Sequence, residues 1–138
     1  MNISLKNHRI LVTGASRGIG RGIAEQLSAS GAEVLIHFNK NLDEAKALQE
    51  SLPNKSHLVP CDLSDLASVK GWIPDLIKAY GPIDAIVNNA GIAISIADDA
   101  ETDDWTTAWL KTMDVNINAL AIISKEFIEH AKSRKNGR

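Results

Sequence analysis

The sequence predicts an α/β protein built on a doubly wound parallel sheet. Three observations lead there. Short apolar runs alternate with longer stretches of helical periodicity, the pattern of a parallel sheet with helices on both faces. A glycine-rich segment, Thr-Gly-Ala-Ser-Arg-Gly-Ile-Gly at residues 13–20, follows the first apolar run and opens the first amphipathic stretch. The fourth apolar run, residues 83–87, is apolar enough to be buried on both faces. With 138 residues, 44% of them hydrophobic, the chain can bury a core as one domain, residues 1–138. No repeat or linker divides it.

Residues 9–12 form the first strand. Residues 18–30 carry Ile19, Ile23, Ala24 and Leu27 as a helical stripe, and Gly31 is a natural stop. Residues 33–38 form strand two. Leu42, Ala45, Leu48 and Leu52 mark a second helix ended by Pro53, and residues 56–60 form strand three. Ser64 is the expected N-cap of a third helix, with Leu66, Val69, Ile73 and Ile77 inward. Pro74 lies within it and should kink or split it. Gly81-Pro82 ends it before strand four. Thr102 is the expected cap of a helix containing Trp105, Trp109 and Met113, with both tryptophans read as packing residues. Helical pattern then runs through Ile117, Leu120, Ile123, Phe127 and Ile128 to about Lys132. Ligand is expected at the carboxyl ends of the strands.

A formal net charge of −2 gives no reason to expect nucleic acid or a membrane surface as partner. The basic end, residues 132–138, reads as a solvated helix terminus. Cys61 is the only cysteine, so no intrachain disulfide is expected, and the cytoplasm is the natural setting. A buried, inert thiol is the plain reading of it. No signal peptide or apolar run approaching 18 residues is visible. The four histidines lack metal-ligand spacing, so no metal site is expected.

Chemistry concentrates at the glycine-rich turn. Gly14, where strand one ends, suits a tight turn that needs unrestricted dihedrals. Gly18 and Gly20 open the helix, where free N–H groups and the helix dipole favour an anion. The candidate phosphate-binding segment is Gly14, Ala15, Ser16, Arg17, Gly18, Ile19 and Gly20. A tight turn without a ligand is the competing reading.

The spacing Gly-x-x-x-Gly-x-Gly, the run Asn88-Asn89-Ala90-Gly91 after strand four, Asp62 in Cys61-Asp62-Leu63 and Asn116 in Asp114-Val115-Asn116 occur in order. Together they resemble the short-chain dehydrogenase/reductase family across residues 5–138. The first third is most similar to its 3-oxoacyl-(acyl-carrier-protein) reductases. The resemblance implies a Rossmann-type sheet, truncated here after the fourth strand and the following long helix. It implies a cofactor whose adenine meets Asp62 and the Leu63 backbone, and whose riboses pass Asn89, Ala90 and Gly91. Asn88 would tie strand four to its neighbours. Asn116 would be an accessory catalytic residue that helps hold a water. An Asx turn at Asp62 and a plain helical Asn116 are the alternatives.

An NAD site would place an acid near the end of strand two. Here residues 37–41 read His-Phe-Asn-Lys-Asn, with no acid. Arg17 and Lys40 supply cations for a 2′-phosphate, with Asn39 beside them, so NADP(H) is expected over NAD(H). Both cations could instead be ordinary surface residues.

The family's catalytic Ser and Tyr-x-x-x-Lys pair have no match. The one tyrosine, Tyr80, has no lysine four residues on and reads as structural. Residues 133–138 resemble the loop into the family's fifth strand, so the catalytic residues are expected beyond Arg138. The leading expectation is therefore part of an NADP(H)-dependent oxidoreductase acting on a small-molecule carbonyl/alcohol pair. Alone, the chain is expected not to turn over, and to self-associate or be marginally stable because strand four is an edge. The resemblance also implies a homo-oligomer through the 112–132 helix. The alternatives are a non-catalytic NADP(H)-binding or partner-binding module, and an interaction protein that has lost its cofactor.

Overall fold

The computed structural model describes residues 3–134. Four strands, β1 (Arg9–Val12), β2 (Glu33–Phe38), β3 (Ser56–Pro60) and β4 (Ala85–Val87), form one sheet in the order β3-β2-β1-β4. All three pairings are parallel. The helices are α1 (Gly18–Ala29), α2 (Leu42–Ser51), α3 (Leu66–Val69), α4 (Trp72–Tyr80), α5 (Thr102–Met113) and α6 (Ala119–Ser133). A π-helical turn, Asp114–Asn118, joins α5 to α6.

Side chains alternate across each strand, so the sheet carries two cores. Leu11, Leu35 and Val59 pack on one face with Trp72, Ile73 and Leu76 of α4 and Ala119 and Ile123 of α6. Ile10, Val12, Val34 and Ile36 pack on the other with Ala24 of α1 and Ala45 and Leu48 of α2. The doubly wound expectation holds, and β1, β2 and β3 have the expected bounds.

Several local expectations are corrected. The third helix is two helices, and the break falls before Pro74 rather than at it. α3 ends at Val69; Gly71, with φ +85, is the N-cap residue of α4, and Pro74 lies in the first turn of that helix. N–H groups there have no helical acceptor, so Pro74 costs no bond. Glu126 of α6 caps that turn instead, accepting from the Gly71 N–H at 2.6 Å and the Ile73 N–H at 3.3 Å. Asp65, not Ser64, is the N-cap of α3; its carboxylate accepts from the Ala67 N–H at 3.1 Å.

β4 starts at Ala85 rather than at residue 83, and its residues are half-buried rather than covered on both faces. It is an edge strand with a partner on one side only. Glu101, not Thr102, occupies the N-cap position of α5. Trp105 and Trp109 stack on one another, ring centroids 5.5 Å apart, but stay 49% and 50% exposed. Leu42, Ile117, Leu120 and Ile128 also face outward. Ile19, expected in the buried stripe of α1, is 78% exposed.

At the amino ends of the strands, charged groups link successive elements. Arg9 of β1 donates through Nε and Nη2 to the two carboxylate oxygens of Glu33 on β2, at 3.1 and 3.0 Å. His57 of β3 meets the same carboxylate at 2.9 Å. Asp84, just before β4, accepts from the Arg9 N–H at 2.8 Å and from Arg134, at the end of α6, at 2.9 Å. Burial alone would raise the Glu33 pKa. Its bonds and charge contacts with Arg9, with His57 and Lys55 adding, hold it below the ordinary value.

Among the described residues no three His, Cys, Asp or Glu side chains cluster as metal ligands. No helix among them is long and apolar enough to cross a membrane. Residues 135–138, which complete the basic end and the expected loop toward a fifth strand, lie outside the described residues.

Candidate dinucleotide site

The carboxyl ends of β1, β2, β3 and β4 open into a cleft of about 670 Å³, within the usual range for small-molecule sites. One wall is the turn after β1. Gly14 takes φ +63 and Gly18 φ +56, and a Cβ built at Gly18 would meet nothing within 4 Å. The wall there is backbone, open to a ligand. Arg17, the N-cap residue of α1, makes no side-chain cap bond, and Gly18 and Ile19 of the first turn line the cleft.

Gly20 has another role. A Cβ there would lie 2.2 Å from the Gly14 carbonyl oxygen and 2.5 Å from Asn89 Nδ2. The residue lets α1 pack on the turn and on the segment after β4.

That segment is tied to β1 by Thr13 and Asn89. The buried Thr13 Oγ1 accepts from the Asn89 and Ala90 N–H groups at 2.9 and 3.0 Å. Asn89 Nδ2 donates to the carbonyls of Thr13 (2.9 Å) and Gly14 (3.2 Å). Asn89 thus makes the tie to β1, and the link to neighbouring elements expected of Asn88 runs to a helix instead. Asn88 reaches Ser124 of α6 at 3.3 Å.

The far wall is the turn after β3. Asp62 Oδ1 accepts from the Ser64 N–H (2.9 Å) and hydroxyl (2.7 Å). These bonds, the hydroxyl first, lower the Asp62 pKa against some burial; Lys111 and Lys40 add to the effect. The Asx turn and the cleft position therefore coexist at one residue.

Gly14, Ser16, Arg17, Gly18, Ile19, Asn39, Lys40, Asp62, Leu63, Asn89, Ala90 and Gly91 all line this cleft. Ala15 and Gly20 are buried behind it. Asn116 lies outside its lining. Its Oδ1 accepts from the Ile92 N–H and its Nδ2 donates to the Ile92 carbonyl, both at 2.8 Å. The side chain thus pins the π-helical turn to the segment following Gly91.

Lys111 and His37 are among the cleft residues that the sequence reading did not assign to the site. Lys111 lies one helical turn before Val115, and both line the cleft. That spacing could have identified it. His37 is the one polar residue of the buried part of β2. It is 3% exposed, accepts from the Gly14 N–H at 2.8 Å through Nδ1, and bonds the Cys61 carbonyl at 3.0 Å through Nε2.

Known proteins resemble this chain in sequence and in fold. A family model described as short chain dehydrogenase matches residues 8–138. The chain is 36% identical over 131 residues to the short-chain dehydrogenase/reductase FrzI of a Cladobotryum species, covering 92% of this chain and 49% of that protein. It is 40% identical over 85 residues to the 3-oxoacyl-[acyl-carrier-protein] reductase FabG of Staphylococcus aureus, covering 59% of this chain and 35% of that one. A short chain dehydrogenase from Burkholderia cenocepacia, solved in complex with NADP, superposes with a TM-score of 0.78 at 35% identity, covering 91% of this chain and 51% of that one. The chain spans about half or less of the length of each of these relatives.

Proposed function

The chain belongs to the short-chain dehydrogenase/reductase family, and from that membership we propose that it forms the dinucleotide-binding part of an NADP(H)-dependent oxidoreductase. The bound nicotinamide would give or take a hydride as a carbonyl/alcohol substrate is reduced or oxidised. Residues 14–20 hold the pyrophosphate through backbone N–H groups, and the open space at Gly18 fits that use. Asp62 and Leu63 hold the adenine end, and Asn89, Ala90 and Gly91 form the ribose wall. Asn116 serves as a positioning residue, since Ile92 occupies both its polar side-chain atoms.

One observation carries the cofactor preference. Arg17 and Lys40 line the same cleft as Asn39, where β2 ends without an acid. Lys111 adds a third cation to the lining. Cations of this kind fit a 2′-phosphate, and the NADP complex of the Burkholderia relative supports the reading. The one tyrosine of the 138 residues, Tyr80, has Asp84 four positions on, so the family's Tyr-x-x-x-Lys pair is not among them. Exposed Ile117, Leu120 and Ile128 support assembly of like subunits through the 112–132 helix. The single cysteine supports a cytoplasmic setting.

The test is a pair of dissociation constants, for NADP+ and NAD+, measured on the protein at its natural length. Tighter NADP+ is expected. Equal values, or tighter NAD+, would overturn the preference; no binding of either would overturn the reading itself.

A further inference from the structure

We propose that His37 is a positioning residue of the dinucleotide site, which holds the glycine turn in its binding shape only as the neutral imidazole, so that cofactor affinity falls in acid. The inference rests on the proposed cofactor reading and adds a control to it. The backbone N–H of Gly14 can only donate, so Nδ1 of His37 must be the acceptor at 2.8 Å. The ring proton is then on Nε2, donated to the Cys61 carbonyl at 3.0 Å. One ring therefore bridges the end of β1 to the end of β3, across its own strand. The first end starts the phosphate-binding turn. The second leads directly into Asp62. A second proton would go onto Nδ1 and turn the acceptor into a donor facing a donor. The Gly14 contact would be lost, and with it the fixed entry to the turn.

The surroundings favour the neutral form. Burial depresses the pKa of His37, and the Cys61 carbonyl offsets this only in part. Trp72 of α4 meets the ring edge-on, centroids 5.2 Å apart, and brings no charge. From β3, the Cys61 thiol is pushed up to about 11 by its own burial and by Asp62 and Asp65, so it stays neutral. Among the described residues Asp62 is the one acid in the cleft lining, and Ser64 engages its Oδ1 twice. Arg17 from the turn, Lys40 after β2 and Lys111 from α5 line the same cleft and oppose added positive charge. A phosphate-bearing ligand on the turn needs the Gly14 geometry, so binding and the second proton should exclude each other.

The experiment measures NADP+ affinity in the protein at its natural length, from pH 8 down to the lowest pH at which it stays folded. The wild type is compared with His37→Asn, whose Oδ1 can stand where Nδ1 stands and does not titrate. The 2′-phosphate titrates equally in both, so their ratio isolates the imidazole. The ratio of dissociation constants, wild type over variant, should climb by about tenfold per pH unit once the ring titrates. Parallel profiles would overturn the inference. A second measurement needs no variant. The NMR titration midpoint of the His37 ring should move to lower pH when NADP+ is added, and an unmoved midpoint would overturn the inference even if His37→Asn fails to fold. Absence of NADP+ binding at pH 8 would instead refute the cofactor reading, and this inference with it.

Discussion

Two glycines in one helix should respond to the same substitution with opposite signs. Gly20 and Gly22 both lie in the first half of α1. Replacing a helical glycine by alanine is intrinsically favourable by about 1 kcal/mol. At Gly22 a new Cβ meets nothing within 4 Å, so that gain should appear undiminished. At Gly20 the Cβ would lie 2.2 Å from the Gly14 oxygen, 2.5 Å from Asn89 Nδ2 and 2.9 Å from the Gly14 carbonyl carbon. Two of those three atoms are backbone, which no rotamer change can clear. Overpacking costs roughly 1–3 kcal/mol. Displacing Asn89 adds the loss of its two bonds to Thr13 and Gly14, about 1 kcal/mol each. Set against the helix gain, Gly20→Ala should destabilise by roughly 2–4 kcal/mol, a fall in Tm of about 10 °C for a domain of this size. Gly22→Ala should raise Tm by a few degrees. Urea and thermal unfolding of both variants, followed by circular dichroism, read the difference. A neutral or stabilising Gly20→Ala would refute the packing argument, and a destabilising Gly22→Ala would refute the reading of that face as open.

Other substitutions test the site and its supports. Lys40→Gln should weaken NADP+ by about tenfold or more while leaving NAD+ nearly unchanged; an equal loss for both cofactors would remove the 2′-phosphate from this residue. Asn116→Leu should cost about 1–3 kcal/mol of stability, because it strands the Ile92 N–H and carbonyl, and unchanged urea unfolding would count against that pairing. The folded pKa of Glu33 lies below 4.5, so its contribution is full above that pH and is lost as pH falls through the folded value. Arg9→Met should flatten this acid loss while lowering stability at pH 7, as acid and urea titrations would register; an unchanged acid profile would exclude the ion pair as its source.

Strand positions were legible because β1, β2 and β3 are short apolar runs bounded by turn residues, and their burial follows from the period alone. The glycine turn was legible because its dihedrals demand a particular residue type. What escaped depended on distant chain. Pro74 carries a local signal for a break, yet its harmlessness depends on the helix starting at Trp72 and on Glu126, more than fifty residues away, capping that start. Ile19 matches the helical stripe, but it lies beside the cleft rather than under the sheet. Asn88 and Asn89 are indistinguishable by type, and only the alternation of directions after β4 decides which one faces β1. His37 looked like one residue of an apolar strand because its partners, Gly14 and Cys61, come from two other strand ends.

The charged lattice formed by Arg9, Glu33, His57, Asp84 and Arg134 sits at the opposite end of the sheet from the cleft. The ion pairs that fasten the amino ends of the strands are thus made by side chains other than the cations that line the cleft. Selection acting on heat or acid tolerance can rework the lattice without disturbing the ligand contacts. Changes at Arg17 or Lys40, which line the cleft, can proceed without touching that lattice. For an engineer this separation lets the amino-end ion pairs and the cleft cations be altered one at a time.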